Sequence, residues 1–151
     1  MIRVINDTLG RMLHVALHDR MVKFAEQNTP EFPAEQVVNN WLSRMFLNDP
    51  SLHIIVDLDS NYKILSHAVI EVQEVYGKRA VIAYQVQGDK SSLISLNAGL
   101  EYIEKLGYAV GAYSIGVSVQ KNVKAIEKKG YQIFRTVMFK ILQGEGESED
   151  E

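Results

Sequence analysis

The sequence predicts an α/β fold, a mixed and mostly antiparallel sheet covered by helices on both faces. Three observations carry this. Helical periodicities occupy most of the first 46 residues, β-type apolar runs dominate residues 53–86, and from residue 91 helix and strand patterns alternate to the end. At 151 residues and 46% hydrophobic, the chain holds enough apolar side chains to close one core. One domain is expected over residues 1–142, followed by an acidic flexible tail at 143–151 with almost nothing to bury.

Met1 to Ile5 is apolar apart from Arg3 and is a candidate opening strand. From Asp7, Leu9, Met12, Leu13, Ala16, Leu17, Met21 and Phe24 recur mostly at three and four, the spacing of one helix face, with Asp7 or Thr8 placed to cap its free N–H groups. Pro30 and Pro33 forbid continuation. Pro33 then opens a second helix through Val37, Val38, Trp41, Leu42 and Met45, which Asn48-Asp49-Pro50 stops. His53 to Leu58 is a β-branched run, and Asp59-Ser60-Asn61 is turn chemistry. Ile64 to Val75 and Lys78 to Val86 read as two longer strands around Gly77, completing an antiparallel meander.

A third helix runs from a Ser91 or Ser92 cap through Leu93, Ile94, Leu96, Leu100, Ile103 and Leu106 to Gly107, in the usual C-terminal place. Val110 to Val119 reads as a strand, Lys121 to Lys129 as a short helix ended by Gly130, and Tyr131 to Leu142 as a final strand. The third helix is expected to join two parallel neighbours by a right-handed connection. Strand pairing beyond this is not legible in one sequence.

Composition removes several classes of function. A net charge of -3 and a pI near 5.8 oppose a protein devoted to gripping nucleic acid. With no cysteine there is no disulfide, thiolate metal site or thiol nucleophile, and the cytoplasm is the plain expectation. Polar Asn6, Asp7 and Thr8 interrupt the apolar stretch that a signal peptide needs, and no segment approaches a membrane span. His14 and His18 have the spacing of two zinc ligands but lack the glutamate of a H-E-x-x-H motif and a third ligand, so no metal is expected. His53 and His67, on expected strands, read as half-exposed packing residues before bases, and Trp41 as core.

The segment Asn122 to Tyr131, followed by Gln132-Ile-Phe-Arg-Thr-Val-Met-Phe-Lys140, resembles the end of a GNAT domain, the superfamily of acetyl-CoA-dependent N-acetyltransferases. There a short helix closes in a Lys-x-Gly-aromatic turn before the last strands. The resemblance runs from about residue 53 onward and implies an acyl-CoA N-acyltransferase-like sheet that splays between its fourth and fifth strands, here Lys78 to Val86 and Val110 to Val119. Acetyl-CoA is the implied cofactor, held in that opening. The acceptor would be a small-molecule amine or a peptide. Such proteins often pair through the sheet or the C-terminal strand, which makes a homodimer one candidate assembly.

In that family the loop after the fourth strand follows Gln/Arg-x-x-Gly-x-Gly/Ala, so that backbone N–H groups approach a pyrophosphate closely. The matching stretch here is Gln87-Gly88-Asp89-Lys90-Ser91-Ser92: Gln87 agrees, Lys90 replaces the first glycine, and Ser92 stands at the second small position. By resemblance, the backbone around Val86 and Gln87 holds the pantetheine arm, Lys90, Ser91 and Ser92 lie near the pyrophosphate, and Asn122 opens the last helix beside them. Lys90 offers phosphate a point charge. Capping alone also accounts for Ser91 and Ser92.

Many members protonate the departing thiolate from a tyrosine one residue before the Glu-Lys pair of the last helix, but Ile126 occupies that position and cannot act as an acid. The remaining phenols in this region are Tyr113 and Tyr131, and Tyr131 fills the family's core aromatic slot. Candidates for the base that deprotonates the acceptor are Glu71, Glu74 and Tyr84, by their place on strands alone. Tyr113, Glu71 and Tyr84 are thus the catalytic candidates. The alternative is a catalytically inactive GNAT-like binding or structural protein that has lost acetyl-CoA. In length and eroded loop the chain is similar to small GNAT-like proteins of bacteriophages. A nucleic-acid-binding domain rests only on Lys121, Lys124, Lys128 and Lys129, a run more often a solvated helix face.

Overall fold

The computed structural model describes residues 2–4, 7–88, 93–118, 123–133, 138 and 140–143. Strand β1 (Ile2–Val4) is followed by helices α1 (Asp7–Asn28) and α2 (Ala34–Phe46), then by strands β2 (Leu52–Leu58), β3 (Ile64–Val75) and β4 (Lys78–Gly88). Helix α3 (Leu93–Ala109), strand β5 (Ser114–Val117) and helix α4 (Val123–Glu127) complete the described elements. The sheet order is β1-β2-β3-β4-β5. The first three pairings are antiparallel, and β4 with β5 is parallel, the two joined through α3.

The sheet separates two apolar layers, as alternating side chains on a strand require. On one face Leu13, Leu17, Met21 and Ala25 of α1 and Val38, Trp41, Leu42 and Met45 of α2 pack on Ile54, Val56 and Val69. On the other, Leu100 and Ile103 of α3 and Ile126 of α4 pack on Ile55, Ala68, Ile70, Val81 and Ala83. The buried stripe of α1 advances strictly by four, so Met12 and Ala16, expected on the inner face, turn out to solvent. Ile126 is a core residue, which accounts for an aliphatic side chain there.

Turn chemistry sets the lengths of the central strands. Tyr76 (φ 52°) and Gly77 (φ 77°) form a two-residue connection between the paired Val75 and Lys78, the left-handed geometry that matches strand twist. Helix α3 ends later than its glycine pattern predicts. Gly107 lies inside the helix, where an added Cβ would stand 3.0 Å from Ile115 Cδ1, so its role is close approach to β5. Gly111 (φ 67°) makes the stop: its N–H donates to the Tyr108 carbonyl at 3.2 Å, and the Ala112 N–H to the Gly107 carbonyl at 2.8 Å. That cap consumes residues 110–113, which were expected to begin β5.

Helix α4 ends at Glu127, short of the expected Lys129, and a turn over residues 128–130 follows, in which Gly130 (φ 92°) donates its N–H to the Glu127 carbonyl at 3.0 Å. The strand expected over Tyr131 to Leu142 is absent from the described residues 131–133, 138 and 140–142, where Ile133, Met138, Ile141 and Leu142 are exposed and so lack the packed face that a strand needs. Residues 134–137 and 139 of that span lie outside the described residues, as do 144–151 of the acidic tail. No helix among the described residues is long and apolar enough to cross a membrane.

Candidate active site

Among the described residues, the pairing of β4 with β5 ends where β4 is irregular. β3 and β4 pair in constant register from Val75 with Lys78 to Ile70 with Ala83, after which Val69 pairs with Gln85. Tyr84 is therefore the extra residue of a β-bulge, a device that bends a strand and re-aims its side chains. On the other edge of β4, pairing with β5 runs from Ala80 with Ser114 to Ala83 with Val117 and closes with the Ser118 N–H donating to the Ala83 carbonyl at 2.9 Å. β4 continues through Tyr84–Gly88, held by β3 alone among the described residues.

A polar network fills the α2 side of the sheet next to that point. The Gln73 amide nitrogen donates to Glu71 Oε1 at 2.7 Å and also to the Tyr84 hydroxyl. The Trp41 ring lies 6.1 Å from the Tyr84 ring. Arg44, in the last turn of α2, spends three nitrogens on three partners: Nε donates to Asp49 Oδ2 at 2.7 Å, one terminal nitrogen to Glu71 Oε2 at 2.8 Å and the other to Ser51 Oγ at 3.0 Å. Asp49 in turn accepts from the Ser51 N–H at 2.9 Å and the Ser51 hydroxyl at 2.6 Å. Glu71 keeps 16% of its side chain exposed, so the carboxylate is sheltered yet reachable.

The charges respond to this arrangement. The Ser51 hydroxyl, with Arg44 behind it, lowers the Asp49 carboxyl from 3.8 to about 2. The hydrogen bond to Glu71 raises Arg44 above its ordinary range. Burial, followed by the charge of Glu71, raises the Tyr84 phenol, which favours the protonated form. Tyr84 is accordingly held as the neutral phenol.

Of the sequence candidates, Glu71 and Tyr84 come together through Gln73. Tyr113 does not join them: it is 79% exposed on the loop before β5, its N–H donates to the Arg79 carbonyl at 2.8 Å, and Lys78 Nζ lies 5.9 Å from its ring centroid. This is the end of the β4–β5 pair opposite to Tyr84. Glu74 lies at the same end and reaches Arg79 at 3.4 Å. The Tyr131 hydroxyl donates to Glu104 at 3.3 Å, and burial with that carboxylate pushes its phenol up to about 12. The backbones of Val86 and Gln87 pair with Ala68 and His67 on the last stretch of β4. Lys90, Ser91, Ser92 and Asn122 lie outside the described residues.

His53 is half-buried on β2, in line with its sequence reading, and His67 departs from its own. His67 is buried, with the Arg20 Nε–H donating to its Nδ1 at 3.2 Å and the Phe24 ring 5.0 Å away. His18 meets Glu35 of α2 at 3.2 Å, and among the described residues no three ligating side chains converge on a metal site. Arg44, Gln73 and Ser51 are the site residues that sequence reasoning missed. Twenty-seven positions separate Arg44 from Glu71, and no local motif marks either.

No family model matches the sequence, and no curated protein matches it. Solved structures do match in fold. A probable acetyltransferase superposes with a TM-score of 0.70 at 14% identity, over 95% of this chain and 99% of its own. An acetyltransferase from Trypanosoma brucei gives 0.67 at 15% identity, over 94% and 99%. Glucosamine-6-phosphate N-acetyltransferase from Arabidopsis thaliana gives 0.64 at 13% identity, over 95% and 98%. The α/β architecture is therefore the GNAT fold: a mostly antiparallel sheet flanked by helices.

Proposed function

We propose that the protein is a GNAT-type N-acetyltransferase that moves an acetyl group from acetyl-CoA to the amine of a small molecule or peptide. The observation that carries this is the double position of Tyr84: its backbone lies where the described β4–β5 pairing ends, and its phenol is joined through Gln73 to Glu71. In this reading the Tyr84–Gly88 stretch of β4 receives an extended amide-bearing arm such as pantetheine, with Val86 and Gln87 as its backbone partners. Bound there, acetyl-CoA supplies an acetyl group activated as a thioester.

The chain's own residues account for the proton traffic. The Glu71 carboxylate, steadied by Arg44 on one oxygen and Gln73 on the other, attracts an acceptor ammonium and takes its proton directly or through one water. Tyr84, held neutral by burial and by Glu71, is the candidate donor to the CoA thiolate released when the acetyl C–S bond breaks and the bond to the amine forms. Trp41 and Tyr84 give the acceptor side an aromatic wall. The neighbouring solved structures include an enzyme that acetylates glucosamine 6-phosphate, which supports a primary amine as the acceptor class.

A second reading is a GNAT-fold binding protein that no longer uses acetyl-CoA. Ile126, buried where many family members keep a tyrosine acid, and Lys90 in place of a loop glycine favour it. Incubating the protein with acetyl-CoA and a panel of primary amines, and following free thiol, separates the two. Amine-dependent thiol release supports the transferase, and none above the amine-free rate with any acceptor supports the binding protein.

A further inference from the structure

We infer that Arg44 is a positioning residue for the reaction, acting through Glu71 to hold that carboxylate in one orientation; the inference rests on the acetyltransferase reading above. Arg44 is built to be immobile. Its planar guanidinium has each nitrogen on a different acceptor, and the acceptors are fixed independently: Asp49 by two bonds from Ser51, Ser51 by its carbonyl accepting the Val72 N–H at 2.8 Å, and Glu71 by Gln73. A rigid donor 2.8 Å from Glu71 Oε2, with Gln73 on the other oxygen, leaves the carboxylate one orientation. Arg44 also reports α2 to the sheet, since it is the hydrogen-bonded link between the end of that helix and β3.

The charges around Arg44 come from each element packed on it: Asp49 from the loop after α2 and Glu71 from β3, with the Tyr84 phenol of β4 neutral. Two carboxylates thus face one guanidinium. Asp49 retains its Ser51 bonds without Arg44, whereas Glu71 Oε2 loses its charged donor. Removal of Arg44 is therefore felt at Glu71 first.

The test compares wild type, Arg44→Gln and Arg44→Lys, each checked for folding by circular dichroism, by two measurements. In acetyl transfer to a primary amine, kcat falls by about 10-fold to 10²-fold in Arg44→Gln with the KM for acetyl-CoA near wild type, and Arg44→Lys restores part of it. Unchanged kcat in folded Arg44→Gln, with only stability reduced, overturns the inference. The second measurement needs no cofactor or acceptor: the side-chain rotamer of Glu71 is followed by NMR three-bond couplings. Rotamer averaging of Glu71 in Arg44→Gln against one rotamer in wild type supports the inference, and the same single rotamer in both overturns it. Wild type that transfers no acetyl group, with Glu71 averaging in Arg44→Gln alone, defeats the transferase reading and leaves the Arg44–Glu71 coupling intact.

Discussion

Glu71 and Tyr84 share one donor: the Gln73 side-chain nitrogen bonds the carboxylate at 2.7 Å and also the phenol oxygen. They stand on adjacent antiparallel strands, eleven positions separate Gln73 from Tyr84, and the bulge determines which face the tyrosine reaches. Acid and base candidates are thereby coupled at the residue where the described β4–β5 pairing ends.

Replacing Glu71→Gln removes the base and keeps the side-chain shape, while Asp49 still neutralises Arg44. The expected result is a fall in kcat/KM of about 10²–10⁴ with a circular dichroism spectrum like wild type. Activity within threefold of wild type, about the margin of one weak contact, would exclude Glu71 as the base.

Tyr84→Phe deletes the hydroxyl and leaves the ring against Trp41. A drop in kcat of about 10²-fold is expected, with the melting temperature nearly unchanged. Equal activity in the folded variant would assign Tyr84 to packing alone.

Asp49 links the network to acid stability. Its folded pKa, about 2, lies below the ordinary 3.8, so its stabilising contribution is fully present above 3.8 and is lost as pH falls towards 2. Melting curves of Asp49→Asn should fall below wild type at pH 5 to 7 and converge with it near pH 2. A constant gap across this range would place the effect elsewhere.

Two stability changes test the scaffold. Gly107→Ala forces a methyl to within 3.0 Å of Ile115 Cδ1, and overpacking of about 1–3 kcal/mol outweighs the helix-propensity gain of about 1 kcal/mol. Adding Ile115→Val, which removes Cδ1, should restore most of the loss. Denaturant midpoints of the single and double variants decide the matter.

Tyr76 holds φ 52° at a fully exposed turn, where asparagine is the better residue beside Gly77. Tyr76→Asn should raise stability by about 1 kcal/mol. A lower melting temperature would mean that the tyrosine makes a stabilising contact at this turn.

The fold was legible where periodicity and turn chemistry agree. β3 has the bounds that its apolar run predicts, because Tyr76-Gly77 permits one tight turn. Gly107 misled because a glycine at a helix end and a glycine at a helix–strand contact look alike in sequence; only Gly111, four residues on, takes the left-handed cap conformation. The candidate site was legible in part. Glu71 and Tyr84 could be named as ionisable side chains on strands, but their meeting depends on a bulge that no residue pattern announces. Arg44 was invisible for a similar reason, since an arginine in the last turn of a helix is ordinary until tertiary packing sets it against β3.

Acetyl-CoA binding is the most direct test of the central claim, measured as a thermal-unfolding titration with CoA alongside. Binding to the native state at a hundred times the dissociation constant contributes about 2.7 kcal/mol. For a domain of this size, a rise in melting temperature of about 5 to 10 °C is expected. An unchanged melting temperature at millimolar acetyl-CoA would contradict the transferase reading and leave a GNAT fold used for another purpose.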